Sequence, residues 1–456
     1  MNHSALLRRL AKQLPDEITL APATLKKYAG DKWFAAHEPD AVARPRSTAA
    51  VSRILKFAHQ HQIPVTARGA GHGYVGGCVP MKGGIVLSLE RLKKVLEINE
   101  RDFVAVVQPA VVTAEFQAAV EKRGLFYPPD PASRANNSIG GNIATNAGGP
   151  RCLKYGVTRD YVLGLEVVLA DGSICRLGGR THKNKTGFDL HRLFVGSEGL
   201  LGVITEATLK LIPLPPYRAN LAVGFSSMKS AVRALQAIFA GGFLPCAAEL
   251  ADSFTLAAAA KRTGSKRLLG CQAHLIVELD GQEKSVRQEL AVVEKIVRQQ
   301  KPLFVERGFG AEQCEAIWQI RREFSYALRD TGLTKLNEDI VVPRGRLEAL
   351  FQFAAQLQKK HGLQLACFGH AGDGNIHTNV MVDYTQDGSR ERAEACLDEL
   401  FSWVIAQNGS ITGEHGIGLA KKRWWPQAVS ENSRALHARV KLALDPHSIL
   451  NPGKFL

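Results

Sequence analysis

The 456-residue sequence predicts an α+β protein of two or three domains. Three observations lead there. Short strand-like runs separated by glycine-rich loops fill the first 216 residues. Pro213, Pro215 and Pro216 then punctuate the chain, and beyond them longer helices alternate with strands. Apolar residues make up 45% and charged residues 22%, the balance of a globular chain with a full core.

In chain order, residues 1–40 read as a helical lead-in with Leu6, Leu7 and Leu10 on one face. Val51, Ile54, Leu55 and Ala58 mark the next helix, with Ser47 or Thr48 as its cap. A strand at Ile63–Ala67 enters the loop RGAGHGYVGG (Arg68–Gly77), and a second strand follows at Gly84–Leu89. A Rossmann turn is disfavoured, because its glycines open directly into a helix and these continue as loop. Val95–Ile98 and Phe103–Val107 form a hairpin, and a helix near Thr113–Arg123 follows.

The stretch Pro128–Pro150 holds four glycines, four asparagines and four prolines. It is expected to be exposed, tightly turned and rich in free N–H groups, a cradle for a large polar cofactor bearing a pyrophosphate. Strands at Val162–Leu169 and Ile174–Leu177 come next, then a glycine-rich turn and long strand within Leu193–Pro215.

The second texture runs over 217–410. Val286, Leu290, Val293 and Val297 form one helical stripe. Ala393, Cys396, Leu397, Leu400, Phe401, Val404 and Ile405 form another, with Gly409 as its expected stop. No internal repeat is evident.

Lys and Arg outnumber Asp and Glu by 15, which favours anionic ligands, an acidic partner or an anionic membrane surface. No basic tract suggests nucleic acid. Eight scattered cysteines without a CxxC argue against zinc knuckles, iron–sulfur clusters and disulfides, and fit a reducing cytoplasm. With no signal-type apolar core and no apolar run of about 20 residues, any membrane attachment is expected to be peripheral.

Two segments near the end carry chemistry. FGHAGDGNIHTNV (Phe368–Val380) holds His370 and His377, and TGEHGIG (Thr412–Gly418) holds Glu414 and His415. Two imidazoles and a carboxylate suit zinc or manganese. His415 is the candidate general base, with His415 as ligand and Glu414 outside the ligand set as the alternative. On a strand, His377 and Asn379 share a face. Arg321, Arg322 and Lys335 offer cations for a substrate carboxylate.

Together SIGGNIATNAGG, KYGVTRDYVLGLEVVLADG, KNKTGFDLHRLFVGSEGLLGVITEATL, GHAGDGNIH, GEHGIG and NPGKFL make residues 40–456 resemble the FAD-linked 2-hydroxy-acid dehydrogenase/oxidase family, within the vanillyl-alcohol-oxidase-type flavoprotein fold. The resemblance implies a two-lobed FAD-binding domain (41–216), a ferredoxin-like α+β substrate or cap domain (217–410) and a C-terminal helical segment (411–456) that returns to the flavin. It implies that Arg68, Gly69, Ala70, Gly71, His72, Gly73, Tyr74, Gly76 and Gly77, with Ser138, Gly140, Gly141, Asn142, Asn146 and Gly148, cradle the FAD pyrophosphate. Pro129, Thr145, Thr158, Ile204 and Asn451 would line the rest of the cofactor. His370, His377 and Glu414 would bind a divalent metal, and His415 would act as base. Arg321 or Arg322, Ser325, Lys335 and Asn379 would hold substrate. Ser325 stands where relatives carry Thr.

The implied reaction oxidises a small D-2-hydroxy acid (glycolate, D-lactate or D-2-hydroxyglutarate) to the 2-oxo acid, with hydride passing to flavin N5. A separate acceptor then takes the electrons: a protein carrier, a quinone or oxygen. A homodimer or a complex with an iron–sulfur subunit, in the cytoplasm or peripherally at the inner membrane face, completes the expectation. His72-Gly73-Tyr74 also resembles the loop of berberine-bridge-type oxidases whose His is bonded to the flavin. A sugar or alcohol oxidase with FAD linked through His72 is therefore one alternative. A non-catalytic subunit of an oxidase complex is another.

Overall fold

The computed structural model describes residues 3–456. The chain divides into two compact units. Residues 1–147, 157–214 and 414–456 form the first, and 148–156 with 215–413 form the second.

The first unit opens on the His3–Gln13 helix, which buries Leu6, Leu7 and Leu10. These pack into one core with Val51, Ile54 and Leu55 of the Thr48–Gln60 helix, whose cap is Ser47. Four strands lie in this core region: β1 (Ile18–Thr19), β2 (Ala41–Ala43), β3 (Val65–Arg68) and β4 (Ile85–Ser88). Their order is β1-β2-β4-β3, and the last three are parallel, as a helical crossover permits. The chain continues through β5 (Val95–Asn99), β6 (Val104–Val107), β7 (Leu125–Phe126), β8 (Val162–Val168), β9 (Ile174–Gly178), β10 (Val203–Lys210) and β11 (Ile212–Pro213). Five of these make an antiparallel sheet, β5-β6-β10-β8-β9, and β11 pairs with β7.

Pro128–Pro150 differs from the exposed, tightly turned stretch expected. The stretch contains a short helix, Ile139–Thr145, capped by Ser138 and closed by Asn146 in the left-handed region at φ 51°. Its residues are also mostly buried or half-buried, with only 132 and 134–136 exposed. The polar side chains fold inward on one another, so their composition did not signal solvent. Asn142 donates to Thr113 Oγ1 (2.8 Å), Thr113 to Asn137 Oδ1 (2.6 Å), and Asn137 to Ser133 Oγ (3.0 Å).

The second unit is built on one antiparallel sheet of seven strands: β12 (Tyr217–Phe225), β13 (Ala247–Asp252), β14 (Ala273–Gly281), β15 (Phe304–Phe309), β16 (Thr334–Val341), β17 (Gln364–His370) and β18 (Asn375–Val382). The order is β15-β12-β14-β13-β17-β18-β16. Its first four strands have the ferredoxin-like arrangement, in which the first strand lies between the fourth and third. The other three repeat that arrangement in mirror order, and the fourth place shrinks to one bridge, Val341 with Ser410. The topology is thus duplicated although no repeat shows in the sequence, because strand order constrains burial rather than residue identity.

The Met228–Ala240 helix packs against both the Glu283–Arg298 and the Leu347–His361 helix over the sheet. Val286, Leu290, Val293 and Val297 are all buried. The Ser389–Ala406 helix ends one residue earlier than its stripe suggested: Asn408, at φ 57°, takes the left-handed position in place of Gly409. Gly409 instead presses on Val341 O, which an added Cβ would approach to 2.4 Å.

Candidate functional site

In the first unit the two glycine-rich segments, seventy residues apart in sequence, meet. A Cβ at Gly69 would lie 2.8 Å from Ser138 Oγ and 3.6 Å from Gly141 Cα, so only glycine lets the loops approach this closely. Arg68 leaves β3 with its Nη1 donating to Gly30 O at 2.6 Å and its guanidinium 5.4 Å from the Tyr28 ring. Its guanidinium packs against Gly71, where an added Cβ would collide with it. His72 is half-buried and has no protein partner among the described residues; burial, with Lys32 and Arg68 nearby, pushes its pKa down and favours the neutral ring.

The second segment is held at both ends. Gln117 donates to Tyr127 O (3.1 Å) and Pro129 O (3.0 Å). Gly140 N–H donates to Pro109 O at 2.8 Å. Thr145 Oγ1 donates to Gly141 O, and Thr158 Oγ1 to Ala147 O at 2.7 Å. Asn146 Oδ1 accepts from Arg159 N–H. Ile204 is buried on β10 opposite Val167. Gly148 falls in the segment counted with the second unit.

Glu198 and Asn451 tie the C-terminal segment to these loops. The Glu198 carboxylate accepts from Ile417 N–H and Gly418 N–H, each at 2.8 Å. Burial pushes its pKa up, and those two N–H groups with Lys454 and Lys421 oppose the rise. Asn451 Nδ2 donates to Gly77 O (2.9 Å) and Glu198 O (2.7 Å), while its buried Oδ1 has no partner among the described residues. Lys454 is fully buried and donates to Val79 O at 2.6 Å. Leu419 N–H bonds Val75 O at 2.7 Å. The His415 ring consequently lies 5.4 Å from that of Tyr74. Glu198 was not anticipated. Its glycine turn is visible in the sequence, but its partners lie more than two hundred residues away.

In the second unit the strand register gathers the other candidates on one sheet face. His377 sits opposite Phe368 and Asp339, Asn379 opposite Ala366 and Asn337, and Lys335 opposite Met381. His370 and His377 are both buried, with rings 5.6 Å apart. His370 Nδ1 is 2.5 Å from Glu249 Oε1, on the neighbouring strand β13. The other oxygen, Oε2, accepts from Arg321 Nε at 2.6 Å. Burial would push the Glu249 carboxyl up, but His370 and Arg321 beside it hold it down at about 2. Glu249 is a site residue the sequence reading missed.

Arg321 and Arg322 now separate. Arg321 faces the sheet over the Phe368 ring (4.8 Å), and among the described residues neither Nη group bonds a protein acceptor. Arg322 is turned outward and paired with Glu315. Lys335 donates to Ser325 Oγ at 2.7 Å, and burial, with Arg329 nearby, brings its pKa down to about 8. Asn379 spends Nδ2 on Ala366 O and His377 O, leaving a buried Oδ1 with no partner among the described residues.

Asp339 holds the Thr412–Gly413 backbone. It accepts from Asn375 Nδ2 (2.7 Å), Thr412 Oγ1 (2.9 Å) and Gly413 N–H (2.8 Å). Glu414 is the next residue. His370 and His377 are two buried nitrogen donors on one sheet face of the second unit, while Glu414 is counted with the first. With His370 Nδ1 turned to Glu249, its Nε2 is the atom oriented for an ion, and this donor set fits a divalent metal. The two meeting glycine loops and the unpartnered Asn451 Oδ1 likewise fit a large polar cofactor.

A family model described as "FAD linked oxidases, C-terminal domain" matches residues 214–455, and one described as "FAD binding domain" matches 39–178. The chain belongs to the FAD-linked oxidase family. It is an FAD-dependent oxidoreductase. Among relatives, it is 39% identical over 416 residues to a protein named glycolate oxidase subunit GlcD of Bacillus subtilis, covering 91% of this chain and 88% of that one. It is 33% identical over 433 residues to a D-lactate dehydrogenase of Anaerostipes hadrus, covering 91% and 89%. The fold matches p-cresol methylhydroxylase with a TM-score of 0.81 at 19% identity, covering 99% of this chain and 96% of that one. It matches 4-ethylphenol oxidase from Gulosibacter chungangensis with a TM-score of 0.79 at 21% identity and the same coverage. These solved structures place the family member in the vanillyl-alcohol-oxidase-type fold. No helix among the described residues is long and apolar enough to cross a membrane.

Proposed function

We propose that this FAD-linked oxidase converts a small D-2-hydroxy acid, of the glycolate, D-lactate or D-2-hydroxyglutarate class, to its 2-oxo acid. The carrying observation is the buried His370–His377 pair, joined through Glu249 to an arginine that keeps two Nη groups for a carboxylate. The names of the two relatives support the same class. When bound, FAD supplies the two-electron acceptor, and a zinc or manganese ion supplies a Lewis acid for the substrate oxygens.

The protein's own groups then have distinct tasks. Arg321 binds the carboxylate, and the Lys335 ammonium, held by Ser325, adds a second cation. Asn379 Oδ1 accepts a hydrogen bond from the substrate hydroxyl or a water in its place. His415 takes the hydroxyl proton. His370, His377 and Glu414 hold the ion. Residues 41–216 bind FAD, 217–410 shape the substrate site, and 411–456 complete both. Electrons leave to a separate acceptor; the net charge of +15 suits an acidic carrier or an iron–sulfur subunit, with the protein cytoplasmic or peripheral at the membrane. The test is anaerobic flavin bleaching with glycolate, D-lactate and D-2-hydroxyglutarate, before and after chelation. Bleaching by one acid that chelation abolishes supports the assignment; no bleaching by any of them refutes it.

The unpartnered, neutral His72 ring favours one second reading, an alcohol or sugar oxidase with FAD bonded to that histidine. Bound metal in the purified protein separates the two, since only the hydroxy-acid reaction calls for it.

A further inference from the structure

Glu249 is 1% exposed and lies in the middle of the seven-stranded sheet, on β13. Each of its oxygens is committed to a residue with a different task. Oε1 meets His370 Nδ1 at 2.5 Å, and Oε2 meets Arg321 Nε at 2.6 Å. The two partners come from the end of β17 and from the Gly310–Arg329 helix. A carboxylate on Nδ1–H selects the tautomer whose Nε2 lone pair points away, and it makes that nitrogen a better donor to a metal. A carboxylate on Nε–H fixes the guanidinium plane, here also seated over Phe368 and Phe324 (4.8 and 5.6 Å).

We propose that Glu249 is a positioning residue that couples the metal site to the carboxylate-binding arginine, so that a change at Arg321 is felt in metal affinity before any substrate is present. This rests on the reading of His370 as a metal ligand given above. Because Glu249 is buried, neither partner has water as a substitute. A neutral amide at 249 cannot accept from both N–H groups while keeping the charge that balances Arg321. Loss of the Arg321 guanidinium, conversely, leaves the whole carboxylate charge to His370 and removes a cation near the ion.

The experiment measures zinc affinity of the FAD-loaded, substrate-free protein by competition with a fluorescent chelator. Glu249→Gln is expected to weaken zinc binding by about 10- to 100-fold with FAD content unchanged. Arg321→Gln, which removes no ligand, is expected to tighten it severalfold. Glu278→Gln is the control: Glu278 is an equally buried carboxylate of the same sheet, bonded to Trp318 Nε1 at 2.6 Å and paired with Arg151, but not to a histidine of the site. It should leave zinc affinity unchanged. The proposal is overturned if Glu249→Gln binds zinc as the parent does, or if Glu278→Gln weakens it equally. Should Glu249→Gln not fold, an unchanged zinc affinity in Arg321→Gln overturns it alone. A parent protein that binds zinc but bleaches with no hydroxy acid would refute the assigned reaction and leave this coupling standing.

Discussion

The ring of His415 lies 5.4 Å from the ring of Tyr74, which brings the candidate base beside the first glycine-rich loop although 341 positions separate them. In the proposed reaction His415 acts on the substrate proton and not on cofactor binding. His415→Ala is therefore expected to retain FAD and to slow anaerobic flavin reduction by about 10²- to 10⁴-fold. Stopped-flow absorbance measures this, and bleaching at the parent rate would remove His415 from the role.

Gly416 is at φ +88°, and a Cβ there would sit 2.7 Å from Glu198 Oε1. Gly416→Ala combines a backbone cost of about 1–2 kcal/mol with displacement of the carboxylate that holds Ile417 and Gly418. A lower Tm and weaker FAD retention are expected, read by thermal unfolding and by flavin in the filtrate. An unchanged Tm would mean the loop has room to move.

Lys335, with its pKa brought down to about 8 by burial, gives a pH dependence of definite sign. Its ammonium is present below that pH and lost above it. The specificity constant for the hydroxy acid should fall as pH rises through about 8, mainly through KM. Lys335→Arg should extend the plateau to higher pH. A fall of the same midpoint in that variant would assign the titration elsewhere.

His274 is buried on β14, and burial lowers its pKa from 6.5 to about 4. The unfolded chain binds a proton near pH 6.5 and the folded chain does not. The neutral ring thus contributes stability that is whole above 6.5 and lost as pH falls towards 4, about 3 kcal/mol in all. His274→Leu should flatten the decline in denaturant midpoint between neutral and acidic buffer. A decline as steep as the parent's would show that other groups carry it.

For His72, non-covalent FAD goes with the hydroxy-acid reaction. Acid precipitation should leave a colourless pellet and a yellow supernatant. Yellow in the washed pellet would favour the alternative oxidase instead.

Much of the fold was legible because it repeats locally. The stripes Leu6–Leu7–Leu10, Val51–Ile54–Leu55–Ala58 and Val286–Leu290–Val293–Val297 each became the buried face of a helix. Pro128–Pro150 was legible as a special segment but misread as exposed, since Asn137, Asn142 and Asn146 find protein partners in Ser133, Thr113 and Arg159. The choice between Arg321 and Arg322 was open, yet a signal existed: Arg321 continues the buried stripe Cys314, Ile317, Trp318 and Phe324, whereas Arg322 falls outside it. Glu249 offered no comparable signal in AAEL.

By itself the sequence determined where helices and strands run, which loops must turn on glycine, and that imidazoles and a carboxylate recur near the end. Those properties depend on a residue and its few neighbours. Only the tertiary structure decided that Glu249 stands between His370 and Arg321, and that Glu198 grips Ile417 and Gly418. A buried charge takes its role from whichever partners the packed core sets beside it, and here they come from 72 to 220 residues away.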